Sequence, residues 1–416
     1  MLPPAPYLEA HNLVFDPLSL LALLAGTIFL GYLGHVLSTR TGIPDFLWLL
    51  LLGLFLGPGI HFFASDLFIT FTPLMSALAL ATVLFESGVK WDLYELLSVL
   101  PKAVVFTICS LLLSMFLIGG FLYFMGFSIL EGALLGAIIG GGTSSIVVFS
   151  FFGERSESKA GKILLLESVI NNPLSIIIVV SLLQIEILRV EAVGSLLRAF
   201  VGVLSVGVCF GFLFGLIWLW VLRWISKYAN ILTWGMLLGL YVLTEVLGGG
   251  GGGAIACLIF GLVLGNSQHL SRIFKRQLSS KQVLGEVFKF NTELTFLLRA
   301  FFFTLLGLTA TLDLSLLFAS VCCLILFVLA RLLVAHFLGY FLKLTKNEKI
   351  LIGLMVSSGF SVALTSQLPR IYDPEGQLFT DPGIFANFAV WITLLSILIS
   401  LGVSMIFRKR GVAPVA

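Results

Sequence analysis

A chain of 416 residues that is 59% hydrophobic and only 11% charged, with a mean hydropathy of +1.12, carries more apolar surface than a water-soluble fold can bury. That excludes a soluble globular protein and leaves a polytopic membrane protein with no room for a separate soluble domain. The formal net charge of +3 comes from basic loops between apolar runs, so it reports topology and gives no reason to expect a nucleic-acid partner.

In chain order, Met1 to Pro17 holds no Lys or Arg ahead of the first apolar run, so it lacks the basic start of a cleaved signal peptide and is expected to stay attached. Apolar runs then predict thirteen spans, near 17–38, 43–57, 67–89, 101–125, 128–151, 160–186, 195–222, 230–247, 254–266, 292–311, 314–342, 349–369 and 384–407. The 42 glycines suit close helix packing and broken helices. Loops on one side hold about nineteen of the 24 Lys and Arg residues, and loops on the other hold Arg189, Arg198 and Arg370. The expectation is an integral protein of the cell (inner) membrane with its N-terminus outside and its C-terminus cytoplasmic, which requires an odd number of spans. Between spans 9 and 10, basic residues alternate with apolar ones over roughly 269–290, the pattern of an amphipathic helix on the cytoplasmic surface or of a solvated connector. The run Gly248 to Gly253 is followed by no Lys-Ser/Thr and reads as a turn between spans 8 and 9. The five cysteines lie in apolar runs at no metal-ligand spacing and read as packing residues, so no transition metal and no cofactor is expected.

Two spans are interrupted at mid-membrane by polar, glycine-rich stretches: Gly140-Gly141-Gly142-Thr143-Ser144-Ser145 in the fifth, and Ser357-Ser358-Gly359-Phe360-Ser361 in the twelfth. Unwound backbone persists at that depth only where protein encloses it. Taking spans 1–6 and 8–13 as units, both breaks fall in the fifth span of their unit, and the units enter the membrane from opposite sides. That is the inverted-repeat arrangement of secondary transporters. Small residues that merely let helices approach offer the plainer account of either break alone. Ionisable residues at membrane depth are costly and so informative: Glu86, Glu167, Arg299 and Arg331, with Glu293 and His336 as weaker candidates. Span 6 is the most polar. Helical spacing sets Ser168 with Asn172 on one face and Glu167 with Asn171 on the next, and Pro173 frees the carbonyl of Val169. Hydroxyl, amide and carbonyl oxygens are hard ligands suited to a dehydrated alkali cation.

These residues resemble the monovalent cation/proton antiporter superfamily, in particular its electroneutral sodium/proton branch with thirteen spans. The resemblance runs through Phe85-Glu86-Ser87-Gly88, Gly142-Thr143-Ser144-Ser145, Glu167-Ser168-Val169-Ile170-Asn171-Asn172-Pro173, Gly253-Ala254-Ile255-Ala256 with Gly261-Leu262-Val263-Leu264-Gly265-Asn266, and Arg299-Ala300-Phe301-Phe302-Phe303. It implies an all-α fold of two inverted six-helix repeats in which unwound helices 5 and 12 cross. It also implies scaffold and dimer helices 1–3 in 1–100, core transport helices 4–6 in 101–190, scaffold helices 7–10 in 191–312, and core helices 11–13 in 313–416. The implied activity is exchange of Na+, or of Li+ or K+, for H+ by a homodimer in the bilayer, a transporter and not an enzyme. Carried over by position, the cation site is Thr143, Ser144, Ser168, Asn171 and Asn172, with Ser357, Ser358 and Gly359 in the unwound span 12. Glu86 lies near the ion path as an alternative proton carrier, and Glu167 with Arg331 forms a structural ion pair.

The sequence departs from the family pattern at the site itself. Asn172 stands where the family has its ion-binding aspartate, Ser144 where many members have another, and Ser357-Ser358 where many carry an arginine before the glycine. Impaired exchange is therefore expected of the chain as written. Asn172 as an introduced substitution and Asn172 as a natural divergence both remain open, and the intact remainder of the span 6 motif favours the first. A receptor-like ion binder or a small-solute transporter on the same fold is the alternative reading.

Overall fold

In the computed structural model the described residues are 17–41, 43–60, 65–91, 93–141, 159–187, 193–225, 227–248, 252–273, 281–311, 313–356, 359–373, 376–379 and 381–409. They are helices joined by short turns, with no strand among the described residues. The helices are α1 (Pro17–Thr41), α2 (Asp45–Leu54, running into a π-helical turn Phe55–Gly59), α3 (Ser65–Lys90), α4 (Leu93–Phe124), α5 (Ile129–Gly140) and α6 (Lys159–Ile187). There follow α7 (Val193–Val221), α8 (Ala229–Gly248), α9 (Gly252–Gly265), α10 (Ser267–Ile273) and α11 (Lys281–Thr309). The last are α12 (Leu314–Phe341), α13 (Lys346–Leu354), α14 (Phe360–Thr365), α15 (Leu368–Tyr372) and α16 (Ile384–Lys409). Eight of the described helices are long and apolar enough to cross a bilayer, and shorter apolar stretches occupy Asp45–Gly59, Ile129–Gly140, Leu174–Gln184 and Gly252–Gly265. These four coincide with predicted spans 2, 5, 6 and 9. Predicted span 12 is divided among α13, α14 and α15.

Both broken spans begin with the same device. Ser128 accepts the N–H of Glu131 while the Glu131 carboxylate accepts the N–H of Ser128, and Thr345 and Glu348 repeat the exchange at the start of α13. Each capping box satisfies two of the donors that a helix start leaves open, which fixes where these short helices begin.

The helices sort into two groups, with dense packing inside each and sparse contact between them. One group holds α1, α2, α3, α7, α8, α9 and α11; the other holds α4, α5, α6, α12, α13, α14 and α16. In the first, α3 and α9 approach backbone to backbone: a Cβ on Gly88 would sit 2.1 Å from the Leu258 carbonyl oxygen, and one on Gly261 would sit 2.2 Å from that of Phe85. Only glycine allows this crossing. Large exposed apolar residues such as Phe29, Phe116, Trp220, Val246 and Phe318 line the outside, as a bilayer-facing surface requires.

Several expectations need correction. Within the predicted amphipathic stretch Ser267–Ile273 forms α10, residues 274–280 lie outside the described set, and from Lys281 the chain is continuous with the span to Thr309. Nothing between Gly285 and Thr309 breaks the helix, and Leu284, Val287 and Asn291 turn inward, so the basic start of α11 is the span's own first turns. Glu293 and His336 are exposed and drop out as buried candidates. Of the cysteines, Cys257 and Cys323 are buried packing residues, whereas Cys109 and Cys209 are exposed. Between α8 and α9 no more than residues 249–251 intervene, and these lie outside the described set.

Candidate functional site

The two broken spans meet where they stop. The last turn of α5 is capped by Gly141, α13 ends at Leu354 with Met355 as its C-cap, and Gly359 is the N-cap of α14. One residue into α14, the Ser361 hydroxyl donates to the Gly141 carbonyl at 2.8 Å, joining the two breaks across 220 residues of sequence. A helix end leaves its last carbonyls without intrahelical donors. At this end the Gly140 carbonyl is met from α6, where Asn171 Nδ2 donates to it at 3.4 Å; the Ala137 carbonyl, which already accepts the Gly141 N–H at 3.0 Å, takes a second donor from Ser175 Oγ at 3.3 Å.

The α6 residues that face this point form one stripe at intervals of four, Glu167, Asn171 and Ser175, and all are buried. Asn171 spends its amide N–H on Gly140, and its Oδ1 is buried with no hydrogen-bond partner among the described residues. A buried amide oxygen left open costs on the order of 1–3 kcal/mol, so this oxygen is suited to a hydrogen-bond donor or a hard cation. Thr143, Ser144, Ser357 and Ser358 lie outside the described residues, as do the side chains of Ser168 and Asn172 on α6; Gly359 is buried as the N-cap of α14.

At the other end of the stripe, Arg331 of α12 meets Glu167. Its Nη2 donates to Oε2 at 3.0 Å, a second bond runs from Nη1 to Oε1, and Nη2 also donates to the Ile352 carbonyl of α13 at 3.0 Å. The guanidinium carbon lies 5.7 Å from the Phe106 ring and 5.8 Å from the Phe327 ring. Both ions are sealed off, at 0% and 1% side-chain exposure. Planar bidentate pairing with aromatic faces on the guanidinium is the geometry arginine adopts and lysine cannot.

With two interrupted helices joined at their breaks and a sealed ion pair beside them, comparison with known proteins becomes decisive. The sequence profile described as sodium/hydrogen exchanger, transmembrane, matches residues 25–409. The chain belongs to that family. Among curated relatives, the chain is 29% identical over 248 residues to the K(+)/H(+) antiporter NhaP2 of Shewanella baltica, a match covering 55% of this chain and 41% of that protein. It is 30% identical over 247 residues to the protein of the same name from Shewanella sp. strain ANA-3, with the same coverage of 55% and 41%. The match thus spans about two-fifths of the length of these relatives. Among solved structures, the sodium proton antiporter MjNhaP1 from Methanocaldococcus jannaschii superposes with a TM-score of 0.75 at 22% identity, covering 95% of this chain and 98% of that one. This likeness establishes the fold.

Elsewhere in the chain the structure changes the sequence reading. Glu86 is not an unpaired acid: Lys90, one turn on, donates to its Oε1 at 2.6 Å. The Lys90 side chain is 66% exposed, so this pair sits at the α3 end and is loosely held. Asp45 was not singled out from sequence, yet its Oδ2 accepts from Arg299 at 3.1 Å and lies 4.0 Å from His35 Nδ1. A buried acid directly after Pro44, opening a span that must face an arginine elsewhere in the bilayer, was the available signal. Ser361 stood in the quoted stretch of span 12 and Ser175 lies two residues past the quoted motif of span 6, but only coordinates show that they serve the end of α5. Glu245, three residues before the glycine run, and Tyr372 carried no motif at all. Their side chains are bonded at 3.2 Å.

Proposed function

We propose that the chain is a secondary antiporter that exchanges a monovalent cation, Na+ first and Li+ or K+ next, for H+ by alternating access, with the cation held by Thr143, Ser144, Ser168, Asn171 and Asn172. The observation that carries this reading is the buried Oδ1 of Asn171, without a hydrogen-bond partner among the described residues, beside the junction of Ser361 with Gly141. Such an oxygen is a neutral hard ligand, and it lies where half-helix ends concentrate partial charge. The sparse contact between the two helix groups supports a division of labour: α4–α6 with α12–α16 moves as the transport core against a scaffold of α1–α3 and α7–α11 that also forms a homodimer. The N-terminus faces outside and the C-terminus the cytoplasm, as the basic loops direct. The K+ reading gains weight from relatives whose printed names are K(+)/H(+) antiporters.

Exchange needs one group that holds either a proton or a cation and never both. Asn172 cannot do this, because its amide does not ionise. Glu86, engaged with Lys90 on a scaffold helix, is poorly placed to replace it. The chain as written is therefore impaired in proton-coupled exchange. Proteoliposomes with an internal pH dye, given Na+, Li+ or K+ gradients, test this. Little exchange from the sequence as written and clear exchange from Asn172→Asp support the reading. Equal, robust exchange from both removes position 172 from the coupling step, and a loss on Glu86→Gln then assigns it to Glu86. Saturable cation binding with no flux from either protein establishes the receptor-like alternative.

A further inference from the structure

The bond between Tyr372 and Glu245 has a placement that helix stability alone does not require. Glu245 lies in the last turn of α8, and its two carboxylate oxygens have different partners: Oε1 accepts the N–H of Gly253 at the start of α9 at 3.0 Å, and Oε2 accepts the hydroxyl of Tyr372 at 3.2 Å. The first bond ties the acceptor to the junction of two helices of the first group. The donor is equally well mounted. Tyr372 is the last residue of α15, and the next residue, Asp373, is buried and accepts the N–H groups of Gln377 at 2.7 Å, Leu378 at 2.8 Å and Phe379 at 2.9 Å. A carboxylate taking three backbone donors holds the end of α15 in one shape.

A side-chain hydrogen bond thus joins two rigid mounts, beside the packing of α15 against α3 and α6. Its position follows from the chain path: α8 starts beside Arg223 and Lys227, α13 starts beside Lys343 and Lys346, and both Glu245 and Tyr372 lie at the opposite ends of their spans. The joint therefore sits on the face poor in basic residues, beyond the junction of the broken helices.

We propose that Tyr372 and Glu245 form a latch that closes the route to the cation site from the face poor in basic residues, and that opening this face requires the Tyr372 hydroxyl to leave Glu245. The inference rests on the alternating-access reading above. It assigns to Glu245 and Tyr372 a positioning role, the register of the moving half-helix against the scaffold, with neither residue touching the cation.

A reporter thiol tests it. Gln367 lies one to two turns before Tyr372 and is 1% exposed, so in the latched arrangement a cysteine there is shielded. In the full chain with its five native cysteines replaced by alanine, Gln367→Cys is labelled by a membrane-impermeant maleimide applied to the face poor in basic residues. Tyr372→Phe, which removes only the hydroxyl, is expected to raise the labelling rate roughly tenfold, the lower end for a hydrogen bond to a charged acceptor. Glu245→Ala should raise it too, and adding Tyr372→Phe to Glu245→Ala should bring no further increase. Should the cysteine-free background fail to fold, hydrogen exchange of the 360–372 amides in the native chain and in Tyr372→Phe gives the same comparison, with faster exchange in the variant supporting the latch. Unchanged labelling and exchange in Tyr372→Phe, or independent multiplicative effects of the two substitutions, overturn the latch. The exchange reading fails by a different observation, the absence of cation flux from every variant including Asn172→Asp, while the labelling comparison still decides the latch.

Discussion

Removing Arg331 while leaving Glu167 is the sharpest perturbation of the core. At the observed 3.0 Å and an effective dielectric near 20, the attraction between the two ions is on the order of 5 kcal/mol, and it offsets the cost of removing both from water. Arg331→Met keeps much of the side-chain volume between Phe106 and Phe327 but leaves a carboxylate at 1% exposure with no counter-ion and the Ile352 carbonyl without this donor. Two separate scales agree on the size of the penalty: breaking a buried pair in soluble proteins costs roughly 3–5 kcal/mol, and an unpaired acid at the centre of a spanning helix costs roughly 2.5–3.5 kcal/mol. We expect a loss near 3–4 kcal/mol, which lowers the thermal midpoint in detergent, followed by tryptophan fluorescence, by about 3–5 °C. Glu167→Leu should cost a similar amount. The double variant, with no ion left to strand, should recover most of the loss, as apolar replacement of buried ion pairs does elsewhere. A double variant whose loss equals the sum of the singles would refute the reasoning, because it would mean that the two charges do not stabilise each other.

Three further expectations follow from the packing and the caps. Gly88→Ala places a methyl 2.1 Å from a backbone oxygen of α9, so α3 and α9 must separate, at a cost of about 1–3 kcal/mol in the same melting assay; an unchanged midpoint would show that the crossing is looser than it looks. Asp45→Ala leaves Arg299 without its acceptor and should cost about 1–3 kcal/mol, whereas Asp45→Asn, which still offers an oxygen, should cost less; equal losses would remove the charge from the account. Asp313, outside the spans, caps α12 by accepting the N–H of Ser315, and that bond holds its carboxyl below the ordinary range. A depressed acid contributes stability above the unfolded value near 3.8 that is lost as pH falls through the lower folded value. Asp313→Asn should flatten this acid-side dependence, as read by melting between about pH 2 and 5.

Much of this molecule was legible because the bilayer leaves few options. Runs of about 20 apolar residues can only be spans, so the starts of α6, α7, α8, α12 and α16 fall within a few residues of the reading from sequence. The breaks were visible as glycine and serine where leucine would be expected. What escaped notice was local and short. Ser128-Ile129-Leu130-Glu131 and Thr345-Lys346-Asn347-Glu348 both fit the S/T-x-x-E pattern, a signal present in the letters and overlooked beside the hydropathy. The start of α11 was missed for the opposite reason: polar residues in its first turns resemble a surface helix until their inward face is known. Asp45 with Arg299 and Glu245 with Tyr372 lie 254 and 127 residues apart, and no periodicity within one helix reports a partner on another.

The pairing of Glu167 with Arg331 also sets a problem of timing. The two residues are 164 positions apart, so at synthesis rates of roughly 5–20 residues per second the acid on α6 is made some 8–30 s before its partner emerges. Through that interval α6 carries an uncompensated carboxylate, and Pro173 denies it a full ladder of backbone bonds. The helix gains its full stability in hydrocarbon only when α12 arrives, so the first half of the chain cannot be finished before the second half is made. The nascent protein must shelter α6 against the insertion machinery or its own earlier helices, and any product truncated before Arg331 carries a stranded charge that marks it as incomplete. A contact that joins two distant helices of the mature chain thus also makes the first of them depend on delivery of the second.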